Sequence, residues 1–167
     1  MSGALTDGEV IDGKYRIVRL IGRGAWGSVF EGVNTRIGRR VAIKIMSAEA
    51  MCRAGFAERF EREAQAATRV ESEHVVHVFD LGVLADGRQY IVMELLEGEN
   101  LAQQIAARAP LSERRAVFYA IQALRGLADA HAAGVLHRDI KPDNIVIVTT
   151  KQGDEVVKIV DFGISKV

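Results

Sequence analysis

The amino-acid sequence predicts an α+β fold in which a strand-rich first part precedes a helix-rich second part. Apolar residues alternate over short segments in most of the first ninety residues, whereas they recur every three or four positions afterwards. The 167 residues are 49% hydrophobic and 26% charged, which is typical of a globular chain and excludes disorder and fibrous repeats. A boundary near residues 94–98 separates the two parts.

Strand signals fill most of the first part. Short apolar runs bounded by turn residues predict strands at 15–21, 26–33, 40–46, 75–83 and 89–95. Residues 34–38 suit a hairpin connection, and Asp86-Gly87 marks a turn between the last two strands. One helix interrupts this series over 56–70, where apolar residues recur at helical spacing, at Phe56, Phe60, Ala64 and Ala67.

Helical periodicity dominates after the boundary. The pattern predicts a short helix over 101–109, a break at Pro110, and a long helix over 112–133 that Ser112 caps and Gly134 ends. The apolar face of the long helix is predicted to comprise Val117, Ile121, Leu124, Ala128 and His131. Two strands follow, at 145–149 and 156–160, joined by a polar turn.

Composition and charge exclude several classes of function. The 22 basic and 22 acidic side chains give zero net charge, so no nucleic-acid partner is expected. The single cysteine, Cys52, cannot form an internal disulfide, which is typical of a reducing compartment. The first residues lack the pattern of a signal peptide, and polar residues interrupt the longest apolar segment, 117–136. We therefore expect a cytoplasmic chain without membrane contact.

A glycine-rich run, Gly22-Arg23-Gly24-Ala25-Trp26-Gly27, matches the pattern G-x-G-x-x-G. A dinucleotide-binding fold would open a helix after the third glycine, but a strand signal follows here, and a Walker A loop lacks its Gly-Lys-Ser/Thr. Two interpretations stay open: an ordinary hairpin, and a loop whose backbone N–H groups approach phosphates because no Cβ blocks them. Trp26 could stack on a ligand, although a place at the tip of a mobile loop is a simpler account.

Lys44 ends the apolar run 41–43, seventeen residues after Gly27. A lysine in this position is commonly a snorkelling residue at a strand edge. The alternative is a phosphate-binding ammonium held by a carboxylate. The helix over 56–70 offers three carboxylates, and spacing alone does not choose among Glu58, Glu61 and Glu63.

A later segment, His137-Arg138-Asp139-Ile140-Lys141-Pro142-Asp143-Asn144, fits the pattern H-R-D-x-x-x-x-N. Its four specified positions arise by chance in roughly one chain in a thousand of this length. The triplet Asp161-Phe162-Gly163 begins seventeen residues after Asn144. Together these residues suit phosphoryl transfer, because a carboxylate and an amide oxygen can hold Mg²⁺ while a second carboxylate accepts a hydroxyl proton.

With these motifs in this order, the sequence resembles the eukaryotic-like serine/threonine protein kinases of bacteria over residues 15–166. The resemblance implies a bilobal, protein-kinase-like α+β fold. It implies an N-terminal extension at 1–14, an N-lobe at 15–93 with an antiparallel sheet and helix C, and a hinge at 94–98. Residues 99–167 would form part of a C-lobe, with helices D and E, the catalytic loop and the Asp-Phe-Gly triplet.

The resemblance also implies roles for the polar residues. Asp139 would be the catalytic base, with Lys141 beside it as in serine/threonine-type catalytic loops. Lys44 would contact the α- and β-phosphates of ATP while paired with Glu63, the partner that spacing left open. The implied magnesium ligands are Asn144 and Asp161.

Nucleotide binding would involve the glycine loop, an apolar adenine pocket and the hinge, with Met93 as the gatekeeper. The residues implied in binding are Ile21, Gly22, Gly24, Gly27, Val29, Ala42, Lys44, Met93, Glu94, Leu96 and Val146.

The implied function is transfer of the γ-phosphoryl group of ATP, with Mg²⁺, to a serine or threonine hydroxyl of a protein substrate in bacterial signalling. Ile140 replaces the family's usual leucine, with little consequence expected. The chain stops at Val167, so we expect the activation segment and later helices to be absent and the long helix to expose apolar surface. The alternative function is a truncated, catalytically impaired ATP-binding fragment that acts as a binding or interaction module.

Overall fold

Two units divide the chain in the computed structural model, which describes residues 5–108 and 110–162. The first unit contains the described residues up to Ala64 together with Val78–Leu95. The second contains Gln65–His77 and the described residues from Leu96 onward. Ala109 and Gly163, predicted at a helix end and in the Asp-Phe-Gly triplet, lie outside the described residues. None of the described helices is long and apolar enough to cross a membrane.

An antiparallel sheet forms the first unit. Its strands in chain order are β1 Val10–Ile11, β2 Tyr15–Gly24, β3 Gly27–Asn34, β4 Arg40–Met46, β5 Val78–Val83 and β6 Gln89–Glu94. Across the described residues these six strands lie in the order β1-β2-β3-β4-β6-β5. The predicted strand at 40–46 is confirmed over its full length. The sequence does not predict β1, because two residues are too few to show alternation.

Strand β4 lies between β3 and β6, and all of its residues from Val41 to Met46 are buried, so both of its faces are covered. A strand covered on both faces carries an unbroken apolar run instead of an alternating one. Val41, Ile43 and Ile45 are almost fully buried and pack in one cluster with residues of β2 and β6. Burying each such side chain stabilises the fold by about 1.5–3 kcal/mol.

Two helices follow β4, α1 over Ala48–Met51 and α2 over Phe56–Ala67. Ser47 caps α1, because its Oγ accepts a hydrogen bond of 3.1 Å from the Ala50 N–H. The predicted apolar stripe of α2 is confirmed, since all four of its side chains are buried: Phe56, Phe60, Ala64 and Ala67. The helix ends at Ala67, before the predicted end at residue 70.

The predicted strand at 75–83 is wrong in its first residues. β5 begins at Val78, whereas Val75 forms a parallel bridge with Ile159 and the Val76 N–H donates to the Ile159 carbonyl at 3.0 Å. The run therefore divides between the units, with Val75 and Val76 in the second and β5 in the first. An apolar run indicates strand character, but it does not specify which partner each residue takes.

The second unit combines helices with a small sheet. Its elements are β7 Gly98–Asn100, α3 Leu101–Arg108, α4 Glu113–Ala132, a 3₁₀ turn Pro142–Asn144, β8 Ile145–Thr149 and β9 Glu155–Ile159. The described strands form an antiparallel sheet in the order β7-β8-β9. Both predicted ends of the long helix are confirmed: Ser112 Oγ accepts from the Arg115 N–H at 3.4 Å, and Gly134 has a φ of +76°.

The buried face of α4 is not its predicted apolar face. The predicted face is largely exposed, with exposed fractions of 57% for Val117, 46% for Ile121 and 64% for Leu124, so the expected exposure of apolar surface is confirmed. The buried positions are Tyr119, Gln122, Gly126 and Ala130. Gln122 donates to the Glu155 carbonyl at 3.2 Å and accepts from the Val157 N–H at 2.9 Å. A polar residue can occupy the buried face because β9 satisfies its hydrogen bonds.

Gly126 generates a prediction about the packing of α4. A Cβ at this position would lie 2.8 Å from the His74 carbonyl oxygen. We expect Gly126→Ala to lower the free energy of unfolding by about 1–3 kcal/mol, because overpacking outweighs the gain in helix propensity. Urea unfolding followed by circular dichroism measures the change. Ala128→Gly, at an exposed position of the same helix, is the control for propensity, and a more stable Gly126→Ala variant would contradict the close contact.

Candidate active site

The glycine-rich run forms the tight hairpin between β2 and β3. Gly22 pairs with Val29 and Gly24 pairs with Gly27, and the strand after the third glycine excludes a dinucleotide-binding loop. A Cβ at Gly27 would lie 2.0 Å from the Ile45 carbonyl oxygen, whereas a Cβ at Gly22 would meet no atom within 4 Å. Packing inside the protein therefore requires glycine at position 27 but not at position 22.

Lys44 lies within β4, and its side chain is buried. The alternative of an exposed lysine at a strand edge is therefore wrong. A buried ammonium needs a carboxylate or other hydrogen-bond acceptors close to it. Among the three candidate carboxylates of α2, Glu58 and Glu61 are exposed and Glu63 is partly buried. Burial thus favours Glu63 as the partner.

The other predicted nucleotide-binding residues are distributed over both units. Ala42 of β4 and Met93 of β6 are strand partners in the first unit, and both are buried. Three further residues lie on strands of the first unit, namely Ile21, Val29 and Glu94. Leu96 and Val146 belong to the second unit, Val146 on β8. Strand pairing therefore brings Ala42 next to Met93. It also places Val29 between Gly22 and Lys44, its partners on β2 and β4.

Asp139, Lys141 and Asn144 meet in one loop ahead of β8. The Lys141 ammonium lies 3.1 Å from Asp139 Oδ2, and Asn144 Nδ2 donates to the Asp139 carbonyl at 2.9 Å and to its Oδ2 at 3.4 Å. The 3₁₀ turn brings Asn144 back towards this loop, since its N–H donates to the Lys141 carbonyl at 2.9 Å. The hydrogen bond to Asp139 and the charge of that carboxylate raise the pKa of Lys141, so its ammonium stays charged at neutral pH.

His137 connects this loop to the chain that follows β9. Its Nδ1 accepts a hydrogen bond of 3.2 Å from the Asp139 N–H, so the proton is on Nε2, which donates to the Val160 carbonyl at 2.8 Å. The ring also meets Phe162 edge to face, with 4.7 Å between ring centroids. Burial lowers the pKa of His137, which agrees with a neutral imidazole.

Two residues next to these contacts have a left-handed backbone, Arg138 with a φ of +62° and Asp161 with a φ of +61°. Such a conformation costs a residue other than glycine on the order of 1–3 kcal/mol, and it persists where the surroundings hold it. Arg138 lies between His137 and Asp139, whose N–H donates to the imidazole. Asp161 lies between Val160 and Phe162, both of which the imidazole contacts. The imidazole therefore helps to maintain the turn that carries Asp139 and the turn that carries Asp161.

Sequence reasoning missed the contacts of Trp26. The Trp26 ring stacks on Phe56 with 6.0 Å between centroids and 9° between planes. The guanidinium carbon of Arg53 lies 4.4 Å from the Trp26 ring centroid. The available signals were an aromatic residue beside a glycine and another at a helix start, and neither signal shows that the two rings meet.

Gly27 generates a prediction about the hairpin. We expect Gly27→Ala to lower the free energy of unfolding by about 1–3 kcal/mol, because the new Cβ would collide with the Ile45 carbonyl. Gly22→Ala is the matched control, and we expect a change below about 0.5 kcal/mol because its Cβ meets open space. Urea unfolding of both variants measures the difference, and equal losses would contradict the close approach at Gly27.

His137 generates a prediction about pH. Its pKa is lowered from 6.5 in the folded chain, so the unfolded chain takes up the proton first as the pH falls below 6.5. The free energy of unfolding therefore decreases as the pH falls, with a slope of at most about 1.4 kcal/mol per pH unit, until the pH is below the pKa of His137 in the folded chain.

Urea unfolding of the wild type and of His137→Asn, between about pH 5 and pH 8, measures this contribution. Asparagine does not titrate in this range, so the variant should be less stable at high pH and should decline less towards low pH. Parallel profiles of the two proteins would contradict the assignment.

Comparisons with known proteins agree with this geometry. The protein kinase domain family matches residues 15–167. The probable serine/threonine-protein kinase pknA2 of Bifidobacterium longum is 43% identical over 161 residues, which cover 95% of this chain and 21% of that protein. Serine/threonine-protein kinase PknA of Mycobacterium tuberculosis is 42% identical over 163 residues, with 95% of this chain and 37% of that protein covered.

A solved structure is also similar. The crystal structure of the Mycobacterium tuberculosis PknI kinase domain superposes with a TM-score of 0.84 at 33% identity, covering 98% of this chain and 64% of that chain. This chain thus spans less than two fifths of the two curated relatives and about two thirds of the solved kinase domain. The predicted resemblance and the predicted kinase-like α+β fold are confirmed. The chain belongs to the protein kinase domain family, a family of transferases, and its relatives are serine/threonine kinases of bacteria.

Proposed function

We propose that this chain carries the nucleotide-binding and catalytic loops of a kinase that transfers the γ-phosphoryl group of ATP to a serine or threonine hydroxyl of a protein. The observation that carries the proposal is the loop in which Lys141 and Asn144 both contact Asp139. We assign this function to the cytoplasm and to signalling by phosphorylation. The division into an N-terminal extension at 1–14, an N-lobe at 15–93, a hinge at 94–98 and a partial C-lobe from residue 99 belongs to the same proposal.

Asp139 acts as the catalytic base in this proposal. A base has to face the attacking hydroxyl with an ionised oxygen, and the contacts from Lys141 and Asn144 orient the Asp139 carboxylate. Lys141 remains an ammonium at neutral pH, so it can also balance negative charge on the transferred group. The proposed base and the proposed cation are therefore in direct contact.

Asn144 and Asp161 fit a magnesium ion. The bonds from Asn144 to Asp139 use the amide nitrogen, so they leave the amide oxygen, which is the atom that a hard cation prefers. When bound, Mg²⁺ neutralises phosphate charge.

Most of the residues assigned to nucleotide binding lie in the first unit. Residue 22 is a glycine although the packing of the protein does not require one there. Because it has no side chain, a ligand has room to approach the backbone. Lys44 would contact the phosphates and pair with Glu63, the partly buried carboxylate of α2. The adenine ring would lie against apolar side chains and the hinge backbone. The residues assigned to binding are the eleven that the family resemblance implies, from Ile21 to Val146.

Binding of MgATP and transfer of phosphate to a generic basic protein test this proposal with the purified chain. We expect Asp139→Asn to lower the transfer rate by about 10²–10⁴-fold with little change in nucleotide affinity, because the base acts on the hydroxyl and not on ATP. Asp143→Asn, an exposed carboxylate of the same loop, is the matched control. Binding without transfer, insensitive to Asp139→Asn, would favour the alternative of an ATP-binding module.

The same assays test the other assigned residues. Lys44→Met should abolish most transfer, with Lys151→Met in an exposed turn as its control. Asp161→Asn should weaken the dependence of nucleotide binding on Mg²⁺. Full activity of Lys44→Met would refute its assignment, and an unaltered magnesium dependence would refute that of Asp161.

A further inference from the structure

The tip of the glycine loop is attached to the segment that begins α2. Trp26 stacks on Phe56, and the Arg53 guanidinium lies over the Trp26 ring at 4.4 Å. We call these three residues the loop clasp. The main chain takes part as well, because the Ser47 N–H donates to the Trp26 carbonyl at 2.9 Å.

Phe56 provides a fixed platform for the loop clasp. It is the first residue of α2, its side chain is 1% exposed, and its ring stacks on Phe60 with 6.1 Å between centroids. Trp26 is partly buried and Arg53 is exposed, so the stack runs from the interior outwards to solvent. The tryptophan therefore joins the hairpin to an anchored ring, while an arginine covers it from the side of the solvent.

One member of the loop clasp, Phe56, lies on the same helix as the carboxylate assigned to Lys44. Phe56, Phe60 and Glu63 are separated by four and three residues, so they follow one face of α2. An α-helix of this length moves as a rigid body, and a displacement of its first turn is transmitted to Glu63. The position of the glycine loop and the position of Glu63 are thus mechanically linked through Phe56.

We propose that Trp26 is a positioning residue, which fixes the position of the glycine loop relative to α2. The loop that covers the phosphates and the Glu63 carboxylate are thereby positioned together. This proposal rests on the proposed function, because it concerns binding of MgATP. Trp26 acts through Phe56 and Arg53 in it, and not by touching the nucleotide. The loop clasp would make nucleotide binding and the placement of α2 one cooperative event.

A first experiment needs no nucleotide. Trp26 is the single tryptophan of the chain, so its fluorescence reports the loop clasp directly. We expect Arg53→Gln to raise the acrylamide quenching constant and to speed amide exchange about two- to fivefold in both 22–29 and 56–63, as loss of a cation–π contact would do. Arg62→Gln, an exposed arginine of α2 outside the clasp, is the matched control. Amide exchange that becomes faster only in 22–29, or in neither segment, would overturn the proposed link between the glycine loop and α2.

A second experiment measures the affinity of a fluorescent ATP analogue with Mg²⁺. Trp26→Ala should weaken binding about five- to tenfold, and Trp26→Phe should stay within about twofold of the wild type, because phenylalanine preserves the stack. Unchanged melting temperatures would show that both variants fold. Equal affinities of Trp26→Ala and the wild type would overturn the proposal.

A double-mutant cycle separates positioning from direct contact. If Trp26 acts through α2, Trp26→Ala should have little further effect in a Glu63→Gln background, since the two changes remove one linked arrangement. Additive effects would assign Trp26 to direct contact with the nucleotide and overturn its positioning role. A wild-type chain that binds no MgATP would refute the proposed function instead, and amide exchange alone would then decide whether loop and helix are linked.

Discussion

The arrangement of the candidate catalytic loop depends on one neutral imidazole. His137 accepts a hydrogen bond from the Asp139 N–H and donates one to the Val160 carbonyl, and its ring packs against Phe162. Protonation would put a second donor opposite the Asp139 N–H, so both bonds persist only while the ring is neutral. Burial lowers the pKa of His137 and so favours the neutral form. The same ring thus orders the loop that carries Asp139 and the turn that precedes Phe162, two segments that are distant in the chain.

Close backbone contacts fix the conformation of the glycine loop. Gly27 begins β3 against the Ile45 carbonyl, at a distance that excludes any Cβ, and Gly98 begins β7 against the Ile147 carbonyl in the same way. In the glycine loop, the Gly27 contact and the stacking of Trp26 on Phe56 hold the end of the loop that leads into β3. At the other end, a Cβ at Gly22 would meet no atom within 4 Å. One hairpin therefore combines an anchored strand with an accessible backbone, which is what a loop over phosphates requires.

The buried polar side chains differ in what they contact. Gln122 bonds two backbone groups of β9, and Tyr119 donates to Glu155, so both are satisfied within the second unit and serve its packing. Asn144 instead directs its amide nitrogen to Asp139, a residue of the candidate site. Lys44 is a buried cation inside a central strand, where packing alone would favour an apolar residue. Burial alone therefore does not separate residues that serve packing from those assigned to the proposed site.

The sequence alone determined β4, β8, the two ends of α4 and the family of the chain, because apolar period, caps and motif spacing depend on neighbours along the chain. Tertiary structure decided which face of α4 is buried, since β9 satisfies a glutamine that periodicity assigns to the surface. It also decided where the run 75–83 divides and that Trp26 meets Phe56. These outcomes depend on partners far away in the chain, and local pattern carries no information about which distant surface a residue will meet.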